Sequence, residues 1–143
     1  MVELVLFDVG GVLIDLQSKQ ARRSLESEYG MATVAYEALT RCTYEKEPLS
    51  ITETATIGAT GSEEYIDAFC EACGRFVSPL AMKQNRESII GDERLPMIEL
   101  ISVLRETVRV AAFTNTIEMH WELLQNRDRF FFRLSLNRQS HLM

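Results

Sequence analysis

The run Leu4-Val5-Leu6-Phe7-Asp8-Val9-Gly10-Gly11-Val12-Leu13 constrains this chain more than any other segment. Four apolar residues end in a single carboxylate, and a pair of glycines comes close behind. An acidic side chain closing a buried strand is costly unless its charge is used. The glycines let the backbone turn sharply and come near a bound anion or metal. Ligands of open α/β sheets gather at the carboxyl ends of the strands, so Asp8 stands where a reacting carboxylate belongs. The plain alternative is a buried strand, a Gly-Gly turn, and Asp8 capping the next helix.

The rest of the chain excludes several classes of function. The 143 residues suit one domain with a modest core. A net charge of −6, with no basic stripe, argues against a nucleic-acid surface. No apolar segment approaches the roughly 20 residues that span a membrane. The N-terminus shows no signal-peptide pattern, so the cytoplasm is the expected location. Cys70 and Cys73 form a C-x-x-C at the end of a helical stretch. No second ligand pair accompanies them, as zinc would require, and they read as packing residues.

Strand character recurs at Val108–Phe113 and at Phe130–Leu136. Between the first two strands lie mainly helical patterns, at Gln17–Tyr29, Val34–Glu47, Glu63–Cys73 and Ser78–Ile89. Met97, Leu100, Ile101 and Leu104 then keep helical spacing, with Pro96 in the first turn. A parallel crossover needs only a dozen or more residues. The excess implies an inserted helical unit that leaves near Leu13–Leu16 and returns near Gly91–Glu93.

Two segments carry a family resemblance. Phe7-Asp8-Val9-Gly10-Gly11-Val12-Leu13 resembles the first motif of the haloacid dehalogenase-like (HAD) hydrolases, whose first Asp is the nucleophile. Val108-Arg109-Val110-Ala111-Ala112-Phe113-Thr114-Asn115-Thr116 resembles their second motif, another apolar strand ending in a Thr-Asn pair. The resemblance implies an α/β fold with a Rossmann-like parallel sheet, here incomplete at about three strands. Residues 1–14 and 92–143 would form its core, and residues 15–91 a helical cap over the active site.

It also implies a chemistry. A carboxylate attacks phosphorus to give an acyl phosphate that water cleaves, and Mg²⁺ offsets the repulsion between the two anions. Asp8 would be nucleophile and metal ligand, with the Gly10 main-chain carbonyl as a second ligand. Thr114 would donate its hydroxyl to the phosphoryl group, and main-chain N–H groups around Asn115 and Gly11 would complete an anion cradle. The substrate would be a small phosphorylated metabolite. The plain alternative for Thr114 is an N-cap on a helix at Ile117–Gln125.

Two departures from the pattern bear on that reading. Family phosphatases usually carry a second Asp two residues after the nucleophile, as general acid and base, where this chain has Gly10. The family also uses a lysine after the third strand and a later acidic residue at the metal. The lysines here are Lys19, Lys46 and Lys83, all before the second motif, and the last acidic residue is Asp128. The chain therefore reads as the front part of a Mg²⁺-dependent phosphohydrolase, weakly active or inactive by itself. The rivals are a non-catalytic binding module on the same scaffold and a metal-independent dehalogenase. Strand one, apolar on both faces, would present an open edge and invite self-association.

Overall fold

The chain turns immediately after Asp8, and that turn sets the course of the fold. The computed structural model describes residues 2–127. Strand β1 (Leu4–Asp8) leads to a short β2 (Ile14–Leu16). Five helices come next: α1 (Ser18–Glu28), α2 (Thr33–Thr40), α3 (Ile51–Thr56), α4 (Ser62–Glu71) and α5 (Pro79–Glu87). Then β3 (Ile90–Glu93), α6 (Leu95–Leu104), β4 (Arg109–Phe113) and α7 (Glu118–Asn126) complete the order. The architecture is α/β, and the strand expected at Phe130–Leu136 lies outside the described residues.

β1 and β4 pair in parallel, with Leu4 opposite Arg109 and Asp8 opposite Phe113. Side chains alternate along a strand, so Val5, Phe7 and Val110 face one way. They join Val9, Leu13, Ile14, Ile90, Ile101 and Leu124 in one apolar cluster under α6 and α7. The opposite face departs from the expected strand buried on both sides. Leu4 is 46% exposed, Leu6 58% and Phe113 68%, because no described element covers them. Parallel sheets ordinarily carry helices on both faces.

β2 and β3 pair antiparallel, Ile14 opposite Glu93 and Leu16 opposite Ile90. The exit from the first strand and the return to α6 therefore lie side by side. A Cβ on Gly91 would sit 2.7 Å from the Asp15 carbonyl, so only glycine permits this approach. The five intervening helices have a cluster of their own around Leu25, Tyr36, Tyr65, Phe69 and Met82, which also takes Ile117 and Met119. Cys70 and Cys73 pack against it as free thiols, raised from their ordinary pKa by burial.

The helix expected over Val34–Glu47 ends at Thr40, and a tertiary demand ends it. The Arg41 guanidinium donates to the Lys46 and Pro48 carbonyls at 3.0 and 2.6 Å and pairs with Glu53 at 3.1 Å. Ser50 and Glu53 form a reciprocal capping box at the start of α3, which the Ser-x-x-Glu spacing encodes. The Glu53 carboxylate is fully buried and lowered to about 2. The Ser50 N–H lowers it most, helped by the Tyr44 N–H and Arg41, while burial opposes them. A depressed carboxylate contributes stability above its ordinary value of 4.5 and loses it as pH falls towards about 2. Thermal midpoints of the parent should therefore drop more steeply across that interval than those of Glu53→Gln. Parallel pH profiles of the two proteins would refute the assignment.

Candidate active site

The register of β1 and β4 builds the site. With Asp8 opposite Phe113, the residue after Phe113 is carried past the same sheet edge as Asp8. Asp8 and Thr114 thus line one cavity of about 200 Å³, with Gly10, Asn115, Thr116 and His120. Ile14, Leu16 and Ile90 of the β2–β3 pair form an apolar wall. Asp8 Oδ1 accepts the Val9 N–H at 2.7 Å, which orients the carboxylate.

The glycine turn divides its labour. Gly11, at φ +78°, occupies the left-handed region that favours glycine. Its N–H donates to the Ile14 carbonyl at 2.8 Å, and Gly11 does not line the cavity. The expected anion donor is therefore committed to the turn, which the Val9 carbonyl closes by accepting from Leu13 and Ile14. Arg94 steadies the turn, donating to the Gly11 carbonyl at 2.8 Å and pairing with Asp15 at 3.3 Å. Gly10 stays in the cavity wall, and no hydrogen bond occupies its carbonyl among the described residues.

Thr114 is not the N-cap of the next helix. That position belongs to Ile117, and residues 114–117 approach it without regular structure. Among the described residues the Thr114 hydroxyl has no hydrogen-bond partner. Thr114, Asn115 and Thr116 also border a second chamber of about 550 Å³. Its far wall is Thr56 at the end of α3 and the α3–α4 connection at Gly58, Thr60 and Gly61, with Glu118 and Trp121 of α7 alongside.

Helix α7 ties the site to the helical unit. Glu118 accepts from the Ser62 N–H at 3.2 Å and its hydroxyl at 2.9 Å, at the start of α4. The His120 Nε2 meets the Arg86 carbonyl at 2.8 Å. Arg127 donates to the Gly91 and Ile90 carbonyls at 2.6 and 2.9 Å. Burial holds the His120 imidazole below its ordinary pKa, with the Arg86 charge adding to the effect and the carbonyl bond opposing it. As a residue type alone, His120 suggests no more than a spare metal ligand. A signal for its place does exist in the chain: Ile117, His120 and Leu124 recur at i, i+3 and i+7, a histidine on an apolar stripe.

The donor set suits one kind of cation. The Asp8 carboxylate and the unengaged Gly10 carbonyl are hard oxygen ligands on one cavity. Among the described residues, no group of three or more His, Cys, Asp or Glu is placed to hold a metal. Such a pair fits Mg²⁺, which keeps several waters and draws further ligands from phosphate, and does not fit a closed zinc site.

No family model matches the chain. No curated protein matches it either. Solved structures do. A HAD-family enzyme from Bacteroides thetaiotaomicron, solved with magnesium and inorganic phosphate, aligns at 22% identity with a TM-score of 0.70, over 88% of this chain and 60% of that one. The chain has the HAD fold. The magnesium complex of the same enzyme aligns at 24% identity and TM-score 0.66, over 88% of this chain and 58% of that one. A Porphyromonas gingivalis protein described as a predicted HAD-like family hydrolase aligns at 21% and 0.65, over 86% and 56%. The chain spans about 60% of the length of the HAD structures it matches. No described helix is long and apolar enough to cross a membrane.

Proposed function

We propose that this chain carries the phosphoryl-binding and nucleophilic half of a Mg²⁺-dependent HAD phosphohydrolase. The observation that carries the reading is the single cavity shared by Asp8, Gly10, Thr114 and Asn115. Asp8 attacks phosphorus, forming an aspartyl phosphate and releasing the alcohol of a small ester. Thr114 donates its free hydroxyl to a phosphoryl oxygen, and the Asn115 main chain supplies a further donor. Bound Mg²⁺, held by Asp8 and the Gly10 carbonyl, would neutralise charge between carboxylate and phosphate. The magnesium and phosphate of the Bacteroides enzyme support that cofactor and substrate class. Residues 15–91 act as a cap, and the second chamber, bordered by both units, receives the leaving group.

Lys19, Lys46 and Lys83 all precede β4, so no lysine comes after the second motif in these 143 residues. Losing one positioned electrostatic partner costs about 10²–10³ in rate. The 143-residue chain should therefore hydrolyse an aryl phosphate slowly, and only with Mg²⁺. Metal-independent or unimpeded turnover would overturn this reading. Binding of Mg²⁺ and phosphate with no turnover at all would favour a binding module, which the lysine pattern also supports. Thr114→Val should weaken phosphate binding or transition-state stabilisation by about 1–3 kcal/mol, measured by calorimetry with inorganic phosphate and by the slow turnover. An unchanged affinity and rate would remove Thr114 from the site.

A further inference from the structure

We propose that His120 is the second catalytic side chain of this site, taking the proton of the water that attacks phosphorylated Asp8. The proposal rests on the phosphohydrolase reading above. Gly10 offers no titratable group where the resembling phosphatases place a second carboxylate. Among the described residues lining the Asp8 cavity, Asp8 and His120 are the two with titratable side chains. Once Asp8 is esterified to phosphate, His120 is the one left to accept a proton there.

One nitrogen of the ring is committed and the other is left to accept a proton. A carbonyl only accepts, so the contact to the Arg86 oxygen requires the hydrogen on Nε2. The neutral ring then carries its lone pair on Nδ1, for which no hydrogen bond is present among the described residues. Arg86 of α5 is the charged group acting on the ring, and Asp8 of β1 lines the same cavity. The cavity residues from β2 and β3 are the apolar Ile14, Leu16 and Ile90. Burial and the Arg86 charge both favour the neutral, proton-accepting ring.

In the step itself, the water oxygen bonds to phosphorus and the bond from phosphorus to the Asp8 carboxylate oxygen breaks. Its electron pair returns to the carboxylate. The proton of the water passes to Nδ1, while the Arg86 carbonyl, accepting from Nε2–H, steadies the imidazolium. Solvent then takes the proton, and inorganic phosphate leaves.

The test separates formation of the phosphoenzyme from its decay. The full 143-residue chain and its His120→Gln and His120→Asn variants are labelled with radioactive acetyl phosphate and Mg²⁺, then chased with unlabelled donor at fixed pH. His120→Gln can keep a donor to the Arg86 carbonyl while removing the basic nitrogen. Labelling of Asp8 should be retained in both variants, and its decay slowed about 100-fold, within the range of general base catalysis. Decay in the parent should also slow in D₂O, a readout that needs no variant. Unchanged decay in the variants, formation and decay falling in equal proportion, or equal parental rates in H₂O and D₂O would each overturn the proposal. A parent that takes up no label on Asp8 would instead overturn the phosphohydrolase reading, and this proposal with it.

Discussion

An Asp8→Asn chain should form no phosphoenzyme and release no phosphate, while folding as the parent does. The amide has nearly the same shape as the carboxylate, and its oxygen can still accept the Val9 N–H that Asp8 Oδ1 takes at 2.7 Å. It is not a nucleophile towards phosphorus, and it gives a cation a neutral oxygen in place of a charged one. Mg²⁺ affinity should fall with the chemistry. Stability should not: Asp8 is exposed, and it makes no ion pair among the described residues. Substitutions of that kind usually shift stability by less than about 0.5 kcal/mol. Labelling with acetyl phosphate, magnesium titration and thermal unfolding together check the outcome. Retained labelling or turnover would sink the nucleophile assignment.

The largest stability loss should come from Phe69→Ala, far from the chemistry. Phe69 is wholly buried in α4, its ring 4.9 Å from that of Tyr65. Truncating a buried Phe costs about 3–5 kcal/mol through lost transfer energy and an unfilled cavity. This ring does more than fill space. The Arg86 guanidinium lies 4.4 Å from its centroid and 5.8 Å from that of Tyr36, and Arg86 is 3% exposed. Among the described residues its Nε and Nη1 have no hydrogen-bond partner, so the aromatic faces are what compensate the buried cation. Phe69→Leu, which keeps most of the volume, isolates that contribution and should cost less than Phe69→Ala. Denaturant unfolding of the two variants measures both. A Phe69→Ala protein within about 1 kcal/mol of the parent would show that the helical cluster collapses around the gap, contrary to this account. Arg86 also presents the carbonyl that holds His120, so disturbance here should reach the cavity that His120 shares with Asp8.

The strand ends at Asp8 and Phe113 are legible in the sequence because they are local. Each is an apolar run stopped by a polar residue, and parallel pairing then brings the two stops together. The positions of most helices are legible for the same reason, through Pro79 and Pro96 in first turns and apolar residues at helical spacing. α3 is not among the expected helices, although Ser50 and Glu53 hold both halves of its capping box three residues apart.

What only tertiary structure decided are the features whose causes lie far apart in the chain. α2 stops at Thr40 because Arg41 is drawn to Glu53 and to the Pro48 carbonyl, a demand absent from local propensity. β2 and β3 are too short to announce themselves, and each exists because Gly91 lets the other approach. Leu4 and Leu6 look like core residues, yet their exposure depends on which elements reach that face of the sheet. The Gly11 N–H, expected to meet an anion, instead closes the turn onto the Ile14 carbonyl. His120 lines the Asp8 cavity because α7, anchored through Glu118 and Arg127, lies where β1 and β4 end. Residue chemistry along the chain determined which groups could react. Packing between distant segments decided which of them meet, because a side chain's neighbours depend on pairings that no short stretch of sequence contains.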